Sequence, residues 1–212
     1  IYVDGSLSIS GGQLNILGKT TNCAGIFTIQ GFYAQNCTLN VEAELYGIVS
    51  NGEMQLESCD IQIHVKVLAL AGIGLMNISN CTITAISDVT VDEYIANGYV
   101  DPPCALVCMG IMTITQSNIT AAGLTAGIMA DMGEQNEIHI DNSYVFSEGT
   151  FSGIMARSAI TITGSEVIVP VTGDPEMLLS SFDANIPYSG ILVMENGPMT
   201  ITDSSITIDG GP

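Results

Sequence analysis

Two stretches of the chain gather most of the side chains that could do chemistry on a ligand. The first, from about Ile86 to Cys104, carries Asp88, Asp92, Glu93, Tyr94, Tyr99 and Asp101, and the second, from about Pro170 to Ser189, carries Asp174, Glu176, Asp183 and Tyr188. Tyrosine rings stack on sugar faces, and carboxylates accept hydroxyl hydrogen bonds or supply the roughly six to eight oxygens that Ca2+ takes. The expected metal ligands are therefore Asp88, Asp92, Glu93, Asp101, Asp174, Glu176 and Asp183. Tyr94, Tyr99 and Tyr188 are the expected ligand contacts, joined by Glu148 from the stretch between and by Lys66 just before the first. Asp131, Glu134 and Glu137 make a second acidic loop and a weaker Ca2+ candidate. Lys66 has His64 beside it and is one of only three cations, the others being Lys19 and Arg157.

What positions these stretches is a repeat. A ten-residue pattern begins at Leu7, Phe32, Met54, Met76, Met112, Ile138, Ile160 and Met199, with apolar residues in its first, third, eighth and tenth places. The basic spacing is 22 residues, and the longest excesses, 14 and 17, fall in the two stretches above. Each copy is preceded by a small residue and an aliphatic one, as in Gly47-Ile48 or Gly153-Ile154. Alternation on both sides of a corner means strands, and 22 residues cannot hold a helix pair. Isolated turns cannot bury their apolar faces, whereas turns stacked about 4.8 Å apart can. The expected fold is all-β, a parallel solenoid of about eight turns in a single domain spanning 1–212.

The corner is legible too. Its fifth place holds Gly11, Asn36, Ser58, Asn80, Gln116, Asn142, Gly164 and Asp203, mostly types that tolerate a left-handed backbone. Its sixth holds Gly12, three cysteines (Cys37, Cys59, Cys81) and four serines (Ser117, Ser143, Ser165, Ser204), a column of small side chains suited to an inward position. Three stacked cysteines cannot make three pairs and read as free core thiols. Cys104 and Cys108, without a second pair or a nearby His, are a weak metal signal.

The two insertions share one corner three turns apart, about 14 Å along the rod, so they should stand as walls. AAGLTA from Ala121 and SEGTFS from Ser147 form the low floor between them. Function in solenoids tends to sit in such insertions, although long acidic loops also serve simply to keep a rod solvated.

This pattern resembles the right-handed parallel β-helix proteins of the pectate lyase-like class, over nearly the whole chain. The resemblance implies a right-handed β-helix, and its members include lyases, hydrolases, polysaccharide-binding modules and adhesins. A lyase of that class would need Ca2+ on aspartates and a cationic base, for which Lys66 is the candidate. A hydrolase would need close carboxylates. No such cluster lies on a strand, and the expectation leans against catalysis.

With 22 acidic residues against 3 basic ones, a formal net charge of -19 disfavours nucleic acid and anionic membrane surfaces. No stretch has the roughly 20 apolar residues of a membrane span. The expected function is a secreted or cell-surface polysaccharide-binding module, with Ca2+ as a candidate cofactor. An adhesin or stalk segment that binds a protein partner is the alternative. Ile1 in mid-repeat and the closing Gly210-Gly211-Pro212 suggest a piece of a longer polypeptide with flanking domains.

Overall fold

The structure is a computed structural model that describes residues 1–18, 20, 23–131, 135–172 and 189–210. Within these, the chain winds through three parallel sheets of eight strands each. A single turn shows the scheme: Tyr46–Ser50 lies in sheet A, Glu53–Glu57 in sheet B and Asp60–Val65 in sheet C. The next turn repeats it with Leu68–Gly72, Met76–Ser79 and Thr82–Ser87. The first and last strands of a sheet are about 34 Å apart at the usual strand spacing.

Register follows the repeat columns. Met54 pairs with Met76, Met76 with Met112 and Met112 with Ile138. The apolar places point inward and stack into one continuous core that includes Phe32, Leu39, Met54, Ile61, Met76 and Ile114, each essentially fully buried. The core thins at the ends, where Leu7, Ile9 and Leu14 are only half-buried and Met199, Ile201 and Ile208 are exposed.

All eight fifth-place residues adopt a left-handed backbone, with φ between 47° and 70°. Gly does so freely, and Asn and Asp do so more readily than other side chains. The sixth place then points into the rod, and there the serines are more than fillers. The Ser143 hydroxyl donates to the Asp141 carbonyl of its own turn at 2.8 Å and accepts the Ser117 N–H of the turn before at 3.1 Å. Ser117, Ser165 and Ser204 do the same for the amides of Cys81, Ser143 and Ser165. Where the corner leaves a buried N–H outside the sheet ladder, a hydroxyl from the following turn satisfies it. Ser143→Ala orphans the Ser117 amide and should cost about 1–3 kcal/mol, read as a lowered urea midpoint. A variant as stable as the parent would mean that this amide has another acceptor.

One local element departs from the all-strand expectation. The first insertion holds a seven-residue helix, α1 (Val91–Asn97). Thr90 caps it: its Oγ1 accepts the Glu93 N–H at 3.2 Å while the Glu93 carboxylate accepts the Thr90 N–H at 3.1 Å. Gly98, left-handed at φ 63°, ends it. None of the helices among the described residues is long and apolar enough to cross a membrane.

Candidate binding face

The outward side chains of sheet C form two neighbouring columns. One, the ninth place of the repeat, runs Asn15, Asn40, Gln62, Thr84, and the other runs Leu17, Glu42, His64, Ile86, all in register. Together they line an open trough of about 440 Å³. Its floor is partly organised before any ligand arrives: Asn40 Nδ2 donates to Asn15 Oδ1 at 2.7 Å, and Gln13 Nε2 donates to the same oxygen at 3.1 Å. Gln62, Glu42 and His64 are exposed.

The first insertion bounds the trough. His64 Nε2 lies 2.7 Å from Asp88 Oδ2, and Lys66 Nζ lies 3.4 Å from Asp88 Oδ1 and 3.6 Å from Glu93 Oε1. The Thr90 N–H and hydroxyl, with Lys66 behind them, hold the Glu93 carboxyl below its usual range. Partial burial works against the Lys66 charge, but Asp88 and Glu93 outweigh it and raise the Lys66 pKa. A lysine held this firmly as an ammonium ion is a poor proton acceptor, which weighs against Lys66 as a base.

The far part of the same insertion turns the other way. Asp101 Oδ2 accepts the Tyr46 hydroxyl at 2.7 Å, and burial together with Asp101 raises the Tyr46 pKa. Tyr94 and Tyr99 pair at 6.1 Å between ring centroids, and Tyr99 packs with Tyr46 and Val49 on a second apolar cluster that includes Leu68, Val107 and Met129, outside sheet A. Beside it lies an apolar cavity of about 280 Å³ whose lining includes Phe27, Leu68 and Asp101.

The structure therefore divides the residues expected to face one trough. Asp88, Glu93 and Lys66 gather with His64 at the edge of sheet C, while Tyr94, Tyr99 and Asp101 cover sheet A. Asp92 is exposed in the first turn of α1. Glu148 shares the His64 column through Ile86 and Ala122, three strands away, or about 14 Å. Asp174, Glu176, Asp183 and Tyr188 lie outside the described residues.

The described carboxylates do not fit a Ca2+ cage. Asp88 and Glu93 face cations, Asp101 takes a phenol, and among the described residues no group of three or more His, Cys, Asp or Glu side chains is placed to hold a metal. In the other acidic loop Asp131 is 2.7 Å from Arg157 and Glu137 is 3.0 Å from His139, while Glu134 lies outside the described residues.

Sequence reasoning missed the amide column of the trough. Its signal was present, since the ninth place is polar in five successive turns, from Asn15 to Thr120, and only then gives way to Phe146 and Ile168. Comparison with family models, with curated proteins and with solved structures finds no match to this chain.

Proposed function

We propose that this chain is a polysaccharide-binding β-solenoid of the cell surface or the extracellular medium, and that it binds an extended sugar chain along the outer face of sheet C. One observation carries the reading: Asn15, Asn40, Gln62 and Thr84 offer one amide or hydroxyl per strand, about 4.8 Å apart. An extended β-linked hexose chain advances by nearly that distance per sugar, so successive residues would meet equivalent partners. Glu42 and His64 add a second row for hydroxyl groups. The fold and its outward columns are in keeping with the binding modules of the pectate lyase-like class.

Gel retardation against neutral and acidic polysaccharides, with Ca2+ and with chelator, tests this. Replacing Asn40 and Gln62 together by Ala removes two hydrogen bonds of about 1 kcal/mol each, so retention should weaken roughly 30-fold. Tyr99→Ala, on the other side of the rod, should leave it unchanged. Retention insensitive to the double replacement would exclude this face. Absence of retention together with capture of a protein partner would favour the adhesin or stalk reading.

A further inference from the structure

The corner column has a chemical break in it. Serine fills its last four places, and each hydroxyl both donates to its own turn and accepts from the turn before. Cysteine fills three consecutive places before them. The Cys59 thiol donates to the Glu57 carbonyl at 3.2 Å and Cys81 to Ser79 at 3.2 Å, and the Cys59 N–H reaches Cys81 Sγ at 3.4 Å. Sulfur is a weak donor and a weak acceptor, so thiols are inferior to hydroxyls for this relay. What they bring instead is contact with one another: Cys37 Sγ lies 3.5 Å from Cys59 Sγ, one full turn away.

We propose that Cys37 and Cys59 are an oxidisable dithiol, closed to a disulfide by a peroxide, that reversibly fastens two successive turns of the solenoid. Successive turns are about 4.8 Å apart, inside the Cα separation a disulfide accepts. The thiols are buried, yet each lies one residue inside a corner whose flanking residues, Asn36, Ser58 and Asp60 among them, are exposed. A reagent the size of hydrogen peroxide needs little opening to reach them. Cys59 is the attacking sulfur. It lies between the two others of the column, 3.5 Å from Cys37 Sγ on one side and with the Cys81 sulfur accepting the Cys59 N–H on the other, so a partner thiol is already in contact to resolve it.

The Cys59 thiolate attacks one peroxide oxygen and becomes a sulfenic acid, and the expelled hydroxide leaves as water with the proton that Cys59 gave up. Cys37 sulfur then attacks the sulfenic sulfur. The S–O bond breaks, and the hydroxide takes the Cys37 proton and leaves as a second water. Two thiols are oxidised and one peroxide is reduced.

The test treats the full chain, folded, with a few equivalents of hydrogen peroxide, alkylates the remaining thiols and cleaves after glutamate. Cleavage at Glu42, Glu57 and Glu93 leaves Cys37 in residues 1–42 and both Cys59 and Cys81 in residues 58–93. The expected product has lost two hydrogens and joins those two peptides. Dithiothreitol should reverse it, and the oxidised chain should melt roughly 5–10 °C higher. Cys37→Ser and Cys59→Ser should abolish the link and Cys81→Ser should keep it; serine is the natural occupant of this column in later turns, so each variant can fold, as a thermal melt would verify. The proposal is overturned by a folded chain that loses no hydrogens, by a bond internal to residues 58–93, or by a link that survives Cys37→Ser through Cys23.

Discussion

Phe32→Ala is expected to destabilise the chain by about 3–5 kcal/mol, enough to consume much of the stability of an ordinary domain. Phe32 is completely buried and stands between Leu7 and Met54 in the first-place column. Its strand is hydrogen-bonded on both sides, so the backbone cannot move inward to close the cavity. Urea unfolding followed by circular dichroism measures the effect. Because each turn of a solenoid contacts only its neighbours, the loss should appear first in the turns nearest Phe32. A cost below about 1 kcal/mol would mean that the side chains around the site collapse into it.

Gly153→Val should cost about 3 kcal/mol, the upper end of what overpacking usually does. The glycine lies in the small-residue column of sheet A. A Cβ there would run into Val169 Cγ1 and sit 2.5 Å from the Ser147 carbonyl oxygen. The strand cannot retreat easily, because the Gly153 carbonyl also accepts the Ser147 hydroxyl at 2.7 Å. The other glycines of this column, Gly25, Gly47, Gly127 and Gly190, are pressed as closely, whereas Ala69 and Ala105 fill the same column in the turns between, so the squeeze belongs to the turns that carry glycine. A melting temperature equal to the parent's would show that the third sheet shifts outward to make room.

Inward positions were the legible part of the sequence. Packing demands the same type of residue in every turn, so Met54, Met76 and Met112 announce their own register, and the fifth-place Asn, Ser, Gln and Asp announce a left-handed corner. The second function of the sixth place was less visible, because Ser143 reads as merely small until its two hydrogen bonds are seen. Outward positions escape any such demand. Asn15, Asn40, Gln62 and Thr84 are chemically alike but not identical, and only their common face joins them.

The internal course of the first insertion was not legible. Thr90 and Glu93 are spaced as a capping box, which could have signalled α1. No periodicity, however, announces that Asp88 and Glu93 meet Lys66 while Tyr99 and Asp101 cross to the opposite side. That division depends on particular partners, Lys66 and Tyr46, that precede the insertion by one and two turns.

The serine relay at the corner gives the rod a chemical polarity. Each corner amide is satisfied by the hydroxyl of the turn that follows it, never the one before, from Cys81 through Ser117 and Ser143 to Ser165. A turn is thus completed by its successor. During synthesis, each turn from Cys81 to Ser165 carries a waiting N–H until the hydroxyl of the next turn arrives. Assembly so arranged is vectorial, advancing in the order in which the ribosome delivers the chain, and loss of a terminal turn is unequal at the two ends: removal from the carboxyl end uncovers an amide, while removal from the amino end takes its own amide away with it.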